Sequence, residues 1–145
     1  MNKSFLHRFS VRFLPFLAVF TLAGCLQDSA SYSFPEKDHA ITLIRNQTWP
    51  WQDAMDIEVV ALRLPDCNEG MSVKNIPLKA EITLFKAPEE YAEPIFIVRM
   101  DKRHFAVSTQ SCRVQEFKEI PPDLGSKLGS FKEKDGKFAF APEGT

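Results

Sequence analysis

Thiols, imidazoles and clustered carboxylates are the groups in this sequence whose type and spacing could do chemistry. The thiols are Cys25, Cys67 and Cys112. A cysteine acts through its thiolate, by attacking a lipid or a disulfide or by holding a metal. Downstream of Cys25 the histidines are His39 and His104. A Ser-His or Cys-His machine would have to use His104 with Ser108, Ser111 or a cysteine, and nothing in the spacing supports one. Glu89, Glu90 and Glu93 cluster, but a glycosidase-type pair needs one acid held neutral in an apolar pocket. These three lie in a polar, proline-flanked stretch and read as a solvated face. There is no HExxH, GxSxG, P-loop or dinucleotide-binding fingerprint. The sequence thus offers no catalytic residue, no cofactor and no metal site, which points away from an enzyme.

Cys25 has the most informative surroundings. Lys3, Arg8 and Arg12 make the first twelve residues positive with no acid, and FLPFLAVFTLAG (13–24) follows without a charge. A basic start and a short apolar run form a cleaved export signal. A membrane-spanning helix needs roughly 20 apolar residues; this run is shorter and contains Pro15. Leu22-Ala23-Gly24-Cys25 then resembles the lipobox of bacterial lipoproteins, a resemblance that covers residues 1–25 only. It implies that the Cys25 sulfur is thioether-linked to diacylglycerol, and that a type II signal peptidase cuts after Gly24. The freed amine is then acylated, typically with palmitate. A single acyl chain binds a bilayer marginally, whereas two or three hold permanently. In enteric-type lipoproteins an Asp directly after the lipidated cysteine retains the protein at the inner membrane. Leu26 stands there, so the resemblance implies the outer membrane of the cell envelope, with the domain facing the periplasm.

Removing residues 1–24 takes three of the 18 basic residues and none of the 19 acidic ones, leaving a net charge of −4. That argues against nucleic-acid binding, which needs a basic surface. What remains is enough chain for one domain and not for two. Cys67 and Cys112 are most simply one disulfide in an exported chain, with free thiols or a metal pair as alternatives. Zinc is disfavoured because no CxxC or close histidine accompanies either cysteine.

The pattern downstream is that of strands. Residues 25–40 read as a lipidated N-terminus and flexible tether, and 41–145 as a small β domain. Ile41–Ile44, Ile57–Leu64, Ala80–Leu84, Pro94–Met100, His104–Thr109, Ser111–Phe117 and Lys137–Phe140 alternate or run apolar between turn residues. Pro88–Glu93 could make one helical turn. No downstream segment holds a helical period over twelve residues. The expectation is a mostly β, single-domain antiparallel sandwich or partly open barrel stapled by one disulfide.

Two surface features could bind something. Trp49-Pro50-Trp51 holds two rings on a stiff segment; the first expectation is a plug for the open end of the sheet, the second a surface stacking on sugars or anchoring a partner. Arg99, Lys102, Arg103, His104 and Arg113 face a single acid, Asp101. They read as a hairpin tip kept soluble, or as a patch for lipopolysaccharide phosphates, an acidic glycan or an acidic partner. Membrane contact through Cys25 with an envelope protein or a glycan as partner gives two expectations of role. One is a non-enzymatic binding or assembly-accessory module; the other is a ligand-binding or hydrolase-inhibitor-like β domain, by fold-level analogy with small lipid-anchored lysozyme inhibitors.

Overall fold

The structure, a computed structural model, describes residues 26–35 and 38–144. Ten strands follow one another without a helix among the described residues: β1 (Leu26–Ser33), β2 (His39–Gln47), β3 (Ala54–Arg63), β4 (Cys67–Pro77), β5 (Ile82–Lys86), β6 (Phe96–Met100), β7 (Arg103–Ser108), β8 (Arg113–Glu116), β9 (Ser126–Lys134) and β10 (Lys137–Pro142). They form two antiparallel sheets, ordered β1-β2-β3-β4 and β10-β9-β5-β6-β7-β8. The sheets face each other as a sandwich and are not hydrogen-bonded into a barrel.

Alternation decides which side chains meet between the sheets. Ile41 and Leu43 of β2, Ile57, Val59 and Ala61 of β3, and Val73 and Ile76 of β4 point inward from one sheet. Ile82, Leu84, Val98, Met100, Phe105, Val107 and Phe131 meet them from the other. Both seams are closed by side chains. Tyr32 packs edge-on against Phe140, ring centroids 4.9 Å apart, and the Cys67–Cys112 disulfide, Cα–Cα 6.1 Å, joins β4 to the turn before β8.

A second, smaller cluster lies on the outer face of the larger sheet. Phe85, Ala87 and Ile97 are covered there by Ile95, Phe117 and Leu124. Residues 117–125 therefore cross that face between β8 and β9, held at the start by the Phe117 N–H donating to the His104 carbonyl at 2.9 Å. The crossing ends at Gly125, φ 79°, where a Cβ would lie 2.0 Å from the Lys86 carbonyl oxygen. Only glycine fits so close a turn.

Two expectations are corrected. The flexible tether over 25–40 is ordered strand from Leu26 to Ser33, because every residue of β1 pairs in register with β2, from Leu26↔Gln47 to Ser33↔Ala40. Pro88–Glu93 makes turns and bends instead of a helical turn; Glu93 is engaged as acceptor from the Ser111 hydroxyl at 2.8 Å. Cys25 and residues 1–24, on which the expectation of a lipidated export signal falls, lie outside the described residues.

Candidate functional site

The strand register sorts the loops into two ends. One end holds the start of β1, the Thr48–Asp53 loop between β2 and β3, the β4–β5 connection, and the tight turns at Asp101–Lys102 and Asp135–Gly136. The other holds the Leu64–Asp66 turn, the long connection from Ala87 to Ile95, and the disulfide. Leu26, the first described residue, opens β1 at the first end.

Trp49 and Trp51 are on that end, and both are out in solvent, 53% and 74% exposed. Their rings stack on each other, centroids 5.2 Å apart and planes within 20°. The loop beneath them is fixed by local bonds. The Gln52 N–H donates to the Trp49 carbonyl, and the Trp49 N–H to Gln52 Oε1, each at 3.1 Å. Gln47 Nε2, buried at the end of β2, donates to the Gln52 carbonyl at 3.1 Å. The plug expectation fails here, since the end of the sandwich is filled by something else.

That filler is Arg45. It points inward from β2 with its guanidinium 4.1 Å above the Phe138 ring. Asp28 of β1 grips it as a fork: Nε donates to Oδ1 at 2.7 Å and Nη2 to Oδ2. Glu133 stands at 3.9 Å. An arginine with an apolar stem and a paired head can thus close a β-sandwich where two indoles were expected. Asp28→Ala should cost about 2 kcal/mol in thermal or denaturant unfolding, below the 3–5 typical of a fully buried broken pair because Asp28 keeps partial solvent access. Replacing both partners together by apolar residues should recover most of the loss.

The basic residues of 99–113 do not assemble into a patch. Arg99 lies on the outer face of its sheet, 3.5 Å from Glu81 and donating to the Thr83 hydroxyl at 3.3 Å. Arg103 is forked to Glu116, with Nε and Nη2 each 2.6 Å from a carboxylate oxygen. That pairing holds the guanidinium above and the Glu116 carboxyl below their ordinary pKa values. Arg113 pairs with Ser108 in the β7–β8 ladder, at the disulfide end, while Lys102 sits in the turn at the opposite end. Strand direction, invisible in a linear count of charges, separates them. Of these cations, Lys102 and Arg113 are exposed and make no ion pair or ring contact with the described residues.

The chain matches no family model, no curated protein and no solved structure. The chemistry of the site therefore rests on its own geometry.

His104 is buried in β7, and its carbonyl accepts from the Phe117 N–H that opens the 117–125 crossing. Burial, with the Arg99 charge adding to it, pushes its pKa below the ordinary 6.5, against a backbone hydrogen bond to Lys102 that raises it. An imidazole held neutral in the fold binds its proton more readily once unfolded. Stability from this group is therefore complete above pH 6.5 and drains away as pH falls through that value. Unfolding midpoints at pH 7 and pH 5 should show a drop that shrinks in His104→Gln; an equal drop in both chains would refute the assignment.

Beside the tryptophan loop runs a shallow polar groove of about 460 Å³ lined by Asn46, Thr48, Gln52, Asp53, Asp56 and Asn75. Asp56 is anchored by Lys74, Nζ to Oδ2 at 2.7 Å, and by the Asn75 N–H at 3.2 Å; the lysine bond holds its carboxyl below the ordinary range. Among the described residues no three metal-binding side chains come together. No linear signal marked this groove, since its residues come from β2, β3, β4 and the intervening loop.

Proposed function

We propose that the protein is a lipoprotein held through Cys25 on the outer membrane, and that its sandwich faces the periplasm as a non-enzymatic binding or assembly-accessory module. The observation that supports this best is Leu22-Ala23-Gly24-Cys25 placed directly before the first residue of β1. An acyl anchor at that position fixes one end of a disulfide-stapled sandwich at the bilayer and turns the other toward the periplasm. The loops of the periplasmic end expose Leu64 in one turn and Tyr91, next to Glu89 and Glu90, in another, large apolar side chains of the kind a protein partner covers.

Photo-crosslinkers placed at Leu64 and at Tyr91 in intact envelopes should yield the same single envelope protein at one-to-one stoichiometry. Absence of any discrete product from both positions, in cells where the lipoprotein is correctly anchored, would remove the accessory reading.

A second reading, ligand binding or hydrolase inhibition, is favoured by one feature: an exposed indole pair next to a groove of amide and carboxylate side chains. Planar polar groups beside an aromatic face suit a glycan. The analogy with barrel-type lysozyme inhibitors adds little, because the two sheets here are unjoined. Titration with soluble peptidoglycan fragments should perturb tryptophan emission if this reading holds.

A further inference from the structure

We propose that Trp49 and Trp51 seat the sandwich directly on the lipid bilayer, so that the domain stands on its end instead of hanging from a leash. This rests on the reading of Cys25 as the lipidated residue. Its structural basis is that no slack exists between anchor and fold. Leu26 is already in β1 and paired with Gln47, and consecutive Cα atoms are about 3.8 Å apart. Trp49 follows two residues after Gln47, the last residue of β2. A strand rises about 3.3 Å per residue, so the loop carrying the rings begins within two residues' reach of the anchor.

Beside its polar groove, that end presents a set of exposed apolar side chains to the bilayer. Trp49, Trp51, Leu26 and Leu78 are the exposed large hydrophobic side chains there. Indole combines a broad apolar body with one N–H donor and concentrates at the membrane–water boundary. Exposed rings of this kind are costly in water and favoured in the headgroup layer. The bonds from Gln47 and Gln52 hold the loop in shape, so little order is lost on seating. Charge does not set the orientation: Lys79 and Lys102 in the neighbouring turns and Lys137 at the start of β10 are offset by Asp53, Asp101 and Asp135. The rings carry the contact.

The sequence contains two tryptophans, both in this loop, so intrinsic emission reports this site alone. The full chain, processed in cells and purified in detergent, would be reconstituted into phosphatidylethanolamine and phosphatidylglycerol vesicles with or without bromine-labelled lipid. Emission should move to the blue, become shielded from iodide, and lose about half its intensity or more with the brominated lipid, as expected for indoles in the headgroup layer. Trp51→Ala should leave Trp49 reporting the same way with the melting temperature unchanged. Red emission open to iodide, in vesicles that sediment with palmitate-labelled protein, overturns the seat and leaves the anchor standing. A blue shift without bromine quenching places a second copy, a glycan or a protein on the rings, and equally overturns it. Absence of palmitate label and of sedimentation condemns the anchor itself.

Discussion

Cys25→Ser should abolish palmitate labelling and leave the leader uncut, so that the chain migrates more slowly on a denaturing gel and disappears from the outer-membrane fraction. A serine hydroxyl at neutral pH has no population comparable to the thiolate that accepts the diacylglyceryl group. Without that group the type II peptidase has no substrate, and without cleavage there is no free amine to acylate. The energetic consequence is all-or-none, since each buried CH₂ contributes about 0.8 kcal/mol and stable anchoring needs at least two chains. The uncut variant still carries its apolar run, so sedimentation alone does not discriminate; label and gel mobility do. The fold should survive, because β1 begins one residue later and its pairing from Leu26↔Gln47 onward uses no atom of the Cys25 side chain. Wild-type protein that takes no label, and a serine variant cut identically to it, would end the lipoprotein reading.

The strands that could be read in the sequence are those whose apolar residues alternate or run together between turn residues. β3, β6 and β7 bury one or both faces with β-branched and aromatic residues, while β2 and β5 show through the alternation of Ile41 with Leu43 and of Ile82 with Leu84. β1, β4 and β9 were invisible for separate physical reasons. β1, LQDSASYS, buries only Ala30 and exists because its backbone completes the ladder of β2; tertiary pairing overrides propensity there. In β4, Val73 and Ile76 both face the core although they are three apart. The irregularity opposite Met55 and Ile57, with Asn75 at φ 60°, shifts the register and hides the period of two. β9 carries Gly129 where a Cβ would meet the Ala141 carbonyl at 2.3 Å, and a register shift opposite Leu84 and Phe85 breaks its alternation. Glycine and charge mask a strand that packing requires.

Site residues divide in the same way. Cys67 and Cys112 form the expected pair, because an even pair of cysteines can be read from a count without any geometry. The indoles were misplaced because composition cannot show that Arg45, gripped by Asp28, already fills the end of the sandwich. A run of cations along 99–113 looked like one patch because strand reversal is not visible in a list of charges; Glu81 and Glu116 neutralise Arg99 and Arg103 from neighbouring strands. Where function depends on which end of a sandwich a loop occupies, the register decides it.

Removing the disulfide by Cys67→Ala with Cys112→Ala should lower stability by about 4 kcal/mol, the loop-closure value for a ring of about 46 residues. In a domain of this size that corresponds to more than about 10 °C in melting temperature. Alanine is the right replacement, since Cys112 is buried against the core and a serine hydroxyl there would add an unpaired polar group. The effect acts mainly on the unfolded chain, which gains the freedom of residues 67–112. The denaturant slope should therefore rise along with the fall in midpoint, as the unfolded state becomes more exposed. The folded variant keeps its sandwich, because Tyr32 against Phe140 at one seam and His39 Nδ1 bonded to the Thr109 hydroxyl at 2.9 Å near the other still join the sheets. A midpoint lowered with an unchanged slope would place the stabilisation in native packing instead of in the constrained unfolded chain. An unchanged midpoint would show that the crosslink is dispensable to this fold.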